Sequence, residues 1–409
     1  MKKVLIFSLQ YYPLVGGAEV ALKEITDRVE DIEFHMVTLR FDADAPKEER
    51  IGNVFVHRVG WGRRGLTYAQ SFSPAVYLSK VFFVPLAALA ARRLHQVHRF
   101  DGFWAMMSYM LFPIVLLRWS GIRVPYLLTL QEGDPFERVF NRPHILLFRP
   151  LLKYGFVHAS AVQAISSFLS KWAKLAGYPG TPEIIPNGYI NESRHNNPVW
   201  FSVNPGEQER RVFWKNQGGF NVTKTNKILI TASRLVHKNA IDDVISALPR
   251  LPKEVIFVIL GDGNEKEKLE EQAARLGVSD RVFFCGQVKN TAVLYYLHAS
   301  DIFIRPSRSE GMGNSFIEAM AAGLPVIGTQ EGGIADFLYD AERNPGKVPT
   351  GFAVDRDAPE QIAKRVAYIL EHPGEVAKTV ENAKKLAKER YDWDHIASQM
   401  HALLLRVCG

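Results

Sequence analysis

Three short stretches of the 409-residue chain combine charged side chains with glycine in patterns suited to a phosphate-bearing, hydroxyl-rich ligand. The most specific runs from Arg305 to Pro325, Arg-Pro-Ser-Arg-Ser-Glu-Gly-Met-Gly-Asn-Ser-Phe-Ile-Glu-Ala-Met-Ala-Ala-Gly-Leu-Pro. Its pattern predicts a strand end, a glycine-rich loop with exposed backbone N–H groups over Gly311, Met312 and Gly313, and a helix starting at Asn314 or Ser315. Such a helix N-terminus carries partial positive charge suited to an anion. Glu310 precedes the helix and Glu318 falls in its first turn, so both carboxylates can accept hydrogen bonds from the hydroxyls of one ligand. Ser315 and Glu318 also have the spacing of a capping box, a purely structural alternative for Glu318.

A second stretch, Thr231-Ala-Ser-Arg-Leu-Val-His-Lys-Asn239, places Arg234 and Lys238 just after an apolar run. A guanidinium fork and an ammonium four residues apart can clamp a diphosphate; two solvated basic residues on a loop are the plainer alternative. The third is Pro13-Leu-Val-Gly-Gly-Ala-Glu19, between a first strand and a first helix. Gly16 and Gly17 would let the backbone approach a phosphate or sugar oxygen, or simply make a tight turn.

Positioning these groups requires a scaffold of short strands and helices, and the sequence supplies one twice. Apolar runs at Val4–Leu9, Glu33–Leu39, Val54–Val59, Gly102–Met106, Pro125–Leu130 and Ala161–Ile165 are separated by segments of helical spacing, beginning with Ala18–Val29. A second series follows at Lys227–Ala232, Val255–Leu260, Val282–Cys285, Ile302–Ile304 and Pro325–Gly328. Strands apolar throughout imply parallel sheets covered on both faces. The expected fold is α/β, with two Rossmann-like, doubly wound domains facing a central cleft. The boundaries expected are 1–188, 189–390, and a closing helix over 391–409, with the junction at Ile185-Pro-Asn-Gly188 and an Asn-rich stretch after it.

Composition narrows the function classes. Apolar residues make up 47% and charged residues 23%, the balance of an ordinary globular chain. Two cysteines, Cys285 and Cys408, cannot build a disulfide framework, which favours a reducing, cytoplasmic setting. No stretch reaches the roughly 20 apolar residues that a membrane span needs. The net charge is +7, and residues 51–100 carry no Asp or Glu but hold Arg58, Arg63, Arg64, Lys80, Arg92, Arg93 and Arg99. Without zinc fingers, RRM aromatics or a basic zipper, nucleic acid is disfavoured as the partner. Within this window Phe83, Ala87, Ala90, Leu94 and Val97 form one helical stripe, with Arg92, His95 and Arg99 opposite. That describes a surface helix on a sheet or, with Arg63, Arg64 and Arg93, a basic face toward the anionic inner face of the cytoplasmic membrane or a phosphate-bearing acceptor. The 12 histidines show no metal-ligand spacing, and His95 and His98 read as part of a solvated face.

Taken together these motifs resemble the retaining GT-B glycosyltransferases of family 4, glycosyl transferase group 1. The resemblance covers nearly the whole chain: Gly16-Gly-Ala-Glu19, Ile185–Gly188, Arg234 with Lys238, Gly261-Asp-Gly263, the Glu310/Glu318 pair and Gly332-Gly333. It implies transfer of a hexose from a nucleotide diphosphate sugar, GDP-mannose or a UDP-hexose, to the hydroxyl of an acceptor glycan or lipid-linked sugar, with no metal or other cofactor. By motif, Glu310 would hold donor-sugar hydroxyls, Glu318 the ribose, and Arg234 and Lys238 the diphosphate. Gly16 and Gly17 would approach that diphosphate, the backbone of Gln287 and Val288 would touch the base, and a helix over 393–407 would return to the N-terminal domain. Two positions depart from the family pattern. Gln131 stands where many relatives have a His that touches the donor sugar, and Asn239 stands where many have Lys, leaving Lys238 one position earlier. Gln131 can donate a hydrogen bond but cannot carry a proton. A nucleotide-sugar 2-epimerase, which needs acid/base groups there, and a non-catalytic nucleotide-sugar-binding partner are the competing readings.

Overall fold

The structure is a computed structural model that describes residues 1–64, 74–141, 143–189, 205–218 and 220–409. Much of the Asn-rich stretch after the expected junction, 190–204, lies outside the described residues. Two units emerge: Met1–Asn187 together with Trp393–Gly409, and Gly188–Asp392.

The first unit is built on eight strands: β1 (Lys2–Phe7), β2 (Ile32–Leu39), β3 (Glu48–Ile51), β4 (Val54–Val59), β5 (Gly102–Met106), β6 (Tyr126–Leu130), β7 (Ala161–Ala164) and β8 (Glu183–Ile184). Their order is β3-β4-β2-β1-β5-β6-β7-β8, parallel except for the β3–β4 pair. Strands β1, β5, β6 and β7 are buried or nearly so along their length, as sheet interiors covered on both faces must be. Phe34 and Met36 of β2 join Trp104, Leu127 and residues of helix Gly17–Thr26 in one core. The closing helix Trp393–Cys408 contributes Trp393, Met400, Leu403 and Leu404 to that same core.

The second unit contains β9 (Lys227–Ala232), β10 (Val255–Leu260), β11 (Val282–Gly286), β12 (Ile302–Arg305), β13 (Val326–Gly328) and β14 (Phe352–Ala353). They form a wholly parallel sheet in the order β11-β10-β9-β12-β13-β14. Counted from β9 this is the 3-2-1-4-5-6 order of a doubly wound fold, whose direction reverses between β9 and β12. Ligands of such sheets bind beyond the strand C-termini at that reversal.

Three strands lack the sequence signature used above. β3 is charged and lies at a sheet edge, where polar residues discourage further pairing, and β8 and β14 have only two residues each. The helix of the basic window spans Pro74–His98 and packs on β2, β4 and helix Leu111–Trp119. Its buried stripe is Phe83, Ala87, Ala88 and Ala91; Val97, expected in that stripe, is exposed. His95, expected on the basic face, instead turns its ring toward Phe100 and Phe103. No helix among the described residues is long and apolar enough to cross a membrane.

Candidate active site

The two most specific motifs leave adjacent strands of the second unit. Arg234 follows β9 and Glu310 follows β12, so the loops that carry them share the reversal point of the sheet. Between them sits Arg305, the last residue of β12, to which its motif assigns no role. Arg305 is buried, and its Nη2 donates to Glu310 Oε2 at 2.8 Å while Nη1 donates to Ser315 Oγ at 3.1 Å. The guanidinium also lies 4.9 Å from the centroid of the Phe316 ring. Burial weakens its hold on the proton, the neighbouring Glu310 and Glu318 strengthen it, and nearby Arg234 opposes them. Arg305 therefore ties Glu310, Glu318, Ser315 and Arg234 into one electrostatic group. An arginine closing an otherwise apolar buried strand was the available signal.

Helix Asn314–Ala322 starts where expected, but its N-cap is Gly313, at φ +98°, and no side chain caps it. Glu318 consequently lies in the second turn rather than the first. The capping-box alternative fails because Ser315 is inside the helix, its hydroxyl held by Arg305. The Glu318 side chain makes no hydrogen bond or ion pair with the described residues. Burial raises its carboxyl from an ordinary 4.5 to about 7, against the opposing pull of Arg305. Gly311 N–H donates to Glu310 Oε1 at 3.0 Å, so the Glu310 carboxylate is aimed by contacts at both oxygens.

Glycine pairs hold both loops in place. A side chain on Gly332, at φ +61°, would bring its Cβ to 1.9 Å from the Glu310 carbonyl oxygen, and one on Gly261 to 1.8 Å from that of Ser233. Only glycine lets these backbones meet. Asn239 turns inward and donates from Nδ2 to the Arg234 carbonyl at 2.7 Å, which makes it a brace for the loop. Lys238 is half-buried on the same turn, and its carbonyl accepts from Arg308 N–H at 2.7 Å. Arg234 is exposed and has no acidic partner among the described residues. Gln287 and Val288 follow β11, two strands from Arg234, and neither makes a backbone hydrogen bond with the described residues.

In the first unit the corresponding reversal lies between β1 and β5. Gly16 caps helix Gly17–Thr26, and its N–H donates to Glu19 Oε2 at 2.7 Å. One of the two N–H groups expected to face a ligand is thus already held by a carboxylate, leaving that of Gly17. Gln131 follows β6 and forms a reciprocal amide pair with the buried Asn187, at 3.2 and 3.0 Å. Its remaining capacity is one N–H and one lone pair. The neighbouring Glu132 accepts from Ser108 N–H at 2.6 Å and from Gln131 N–H at 3.0 Å, and its burial raises the carboxyl's proton affinity. Asn187 lies in the Ile185–Gly188 junction and Glu132 next to Gln131, but nothing in their spacing marks a partner 24 or 56 residues away.

Residues 212–386, which carry the Arg305-centred group, match the model of the family described as glycosyl transferases group 1. The matched segment lies within the second unit, Gly188–Asp392. An uncharacterized glycosyltransferase of Methanocaldococcus jannaschii is 25% identical over 97% of this chain and 96% of its own. Among solved structures, the sucrose-phosphate synthase of Thermosynechococcus elongatus superposes with a TM-score of 0.79, at 18% identity, over 100% of this chain and 99% of that one. HepE of Anabaena, in complex with UDP and glucose, superposes with a TM-score of 0.73, at 21% identity, over 99% of each. The fold is GT-B.

Proposed function

We propose that this chain transfers a hexose from a nucleotide diphosphate sugar, GDP-mannose or a UDP-hexose, to an acceptor hydroxyl with retention and without a metal ion. One observation carries the reading. At a single strand-order reversal, Arg234 with no acidic partner among the described residues, the Lys238 turn and a helix N-terminus with no side-chain cap lie beside two carboxylates, one of them, Glu318, with no hydrogen-bonding partner among the described residues. Cationic and N–H groups suit a diphosphate, and carboxylates suit hydroxyls. UDP and glucose bound to the similarly folded HepE support this ligand class.

In the reaction, the bond from the anomeric carbon to the diphosphate oxygen breaks and a bond to the acceptor oxygen forms on the same face. The acceptor proton passes to the departing phosphate oxygen, so no side chain need carry it, and Gln131 is compatible with turnover. Arg234, Lys238 and the N–H groups of Gly313, Asn314 and Ser315 stabilise the charge that grows on the diphosphate, an electrostatic contribution to rate. Glu310, aimed by Arg305 and Gly311, holds sugar hydroxyls, Glu318 holds the ribose, and Gln287 and Val288 meet the base.

A lipid-linked acceptor is favoured by the outer face of helix Pro74–His98. Tyr77, Leu78, Val81, Phe82 and Leu89 are about half exposed there, and Arg92 and Arg93 are exposed a turn beyond. An apolar surface bordered by arginines fits a peripheral contact with an anionic membrane. The functional test is a thermal-shift panel of UDP-, GDP- and ADP-sugars, followed by donor turnover with the stabilising donor. Stabilisation by one donor class with transfer or hydrolysis supports the enzyme; stabilisation without turnover points to a non-catalytic binding partner.

A further inference from the structure

The sheet face beneath helix Pro74–His98 brings together histidines that are far apart in sequence. Glu33 and His35 project from one face of β2, and His98 ends the helix lying over that face. His35 Nε2 is 3.0 Å from Glu33 Oε1, and His98 Nδ1 is 4.0 Å from the same oxygen. One ligand atom from each of the three residues lies within 4.8 Å of the other two. Two donors on one tetrahedral ion, each at about 2.1 Å, sit roughly 3.4 Å apart, so the observed separations bracket those of a bound ion.

A second observation concerns hydrogen-bond polarity. Glu48 Oε1 lies 3.2 Å from His57 Nδ1, and His57 Nε2 lies 3.1 Å from His35 Nδ1. The Glu48 carboxylate can only accept, so His57 Nδ1 donates to it, and in a neutral His57 ring Nε2 then accepts from His35 Nδ1. This leaves the lone pair of His35 Nε2 facing a carboxylate oxygen at hydrogen-bond distance. Two acceptors at 3.0 Å require a proton or a cation between them. The relay has the form of the outer contacts that orient metal-binding histidines. The carbonyl end of helix Pro74–His98 adds partial negative charge at the same place. Among the described residues, Lys3 Nζ, 3.2 Å from Glu33 Oε1, is the lysine or arginine cation that competes for that carboxylate.

We propose that Glu33, His35 and His98 form a binding site for a divalent transition-metal ion of the zinc class, completed by water. The ion joins the end of the helix to β2. It lies wholly in the first unit and takes no part in the sugar-transfer chemistry, which is assigned to other residues.

The test uses the full chain stripped with EDTA. Cobalt(II) is titrated and followed by its ligand-field absorption, and zinc(II) is followed by thermal shift. One equivalent of cobalt should bind, and zinc should raise the melting temperature. His98→Gln and the near-isosteric Glu33→Gln should each weaken cobalt binding by at least tenfold, with metal-free melting temperatures close to wild type. His57→Gln should weaken binding about ten- to hundredfold while keeping the stoichiometry. His158→Ala, at an exposed histidine just past the end of helix Pro143–Val157, should leave affinity unchanged. Absence of stoichiometric cobalt binding would show that a proton alone bridges His35 and Glu33 and would overturn the proposal. So would wild-type affinity in both His98→Gln and Glu33→Gln.

Discussion

Replacing Glu318 with Gln separates the carboxylate's contribution to binding from its cost to the fold. The side chain sits beside Arg305 but has no hydrogen-bonding partner among the described residues, and its carboxyl is raised from 4.5 to about 7. A group with a raised pKa in the folded state contributes its full stability below its unfolded value. That contribution is lost as pH rises through the folded value. For Glu318 the window runs from pH 4.5 to about 7, and the loss above it amounts to about 3 kcal/mol. Glutamine is isosteric and stays neutral. Glu318→Gln should therefore melt with wild type near pH 4.5 and above it at pH 8, by about 6–12 °C for a domain the size of Gly188–Asp392. In transfer assays the same variant should raise donor KM about ten- to hundredfold with little change in kcat. It loses a charged hydrogen bond of roughly 1.5–3 kcal/mol that serves ground and transition states alike. Wild-type donor affinity should improve as pH rises through 7 and that of Glu318→Gln should not. Scanning calorimetry from pH 4.5 to 8.5 and initial-rate kinetics measure both halves. Parallel melting curves across the pH range would refute the desolvated carboxylate, and an unchanged KM would refute the ribose contact.

Glu310→Ala should depress kcat strongly with a smaller change in donor KM, because sugar placement matters most as the anomeric carbon gains positive charge; normal kcat would move the sugar elsewhere. Arg305→Met leaves the Glu310 carboxylate without its buried partner and should destabilise the second unit by about 3–5 kcal/mol, read in urea unfolding. Transfer should survive EDTA, whereas complete loss restored by magnesium or manganese would mean the diphosphate charge is neutralised by an ion. Anionic liposomes should bind the chain in low salt and release it in high salt, at about 1 kcal/mol per basic residue near the surface. Arg64 already pairs with Asp44 at 3.3 Å, so Arg63, Arg92, Arg93 and Arg99 should dominate, and equal binding to neutral vesicles would exclude the basic contact.

The sequence was most legible where local physics dominates. Strands β9, β10 and β12 lie within a residue of their apolar runs, because an interior strand of a parallel sheet has no solvent face to vary. Helix Asn314–Ala322 begins at Asn314 and ends against Gly323, at φ +82°, where a glycine before Leu-Pro predicts a stop. The charged edge strand β3 and the two-residue strands β8 and β14 carry no such pattern, since their existence depends on a neighbour offering hydrogen bonds.

Sequence alone therefore determined the α/β class, the glutamate pair and its glycine-rich loop, and the residues Arg234 and Lys238 as candidates for phosphate. These are properties of residue type and short spacing. Tertiary structure decided which candidates keep their groups available. Asn187 takes up part of Gln131, Glu19 takes the N–H of Gly16, Arg305 aims Glu310, and burial raises the proton affinity of Glu318, which has no hydrogen-bonding partner among the described residues. It also placed His98 over Glu33 and His35, more than 60 residues away in the chain. Burial, hydrogen-bond direction and charge proximity depend on where distant strands end in space, and spacing along one chain does not contain that information.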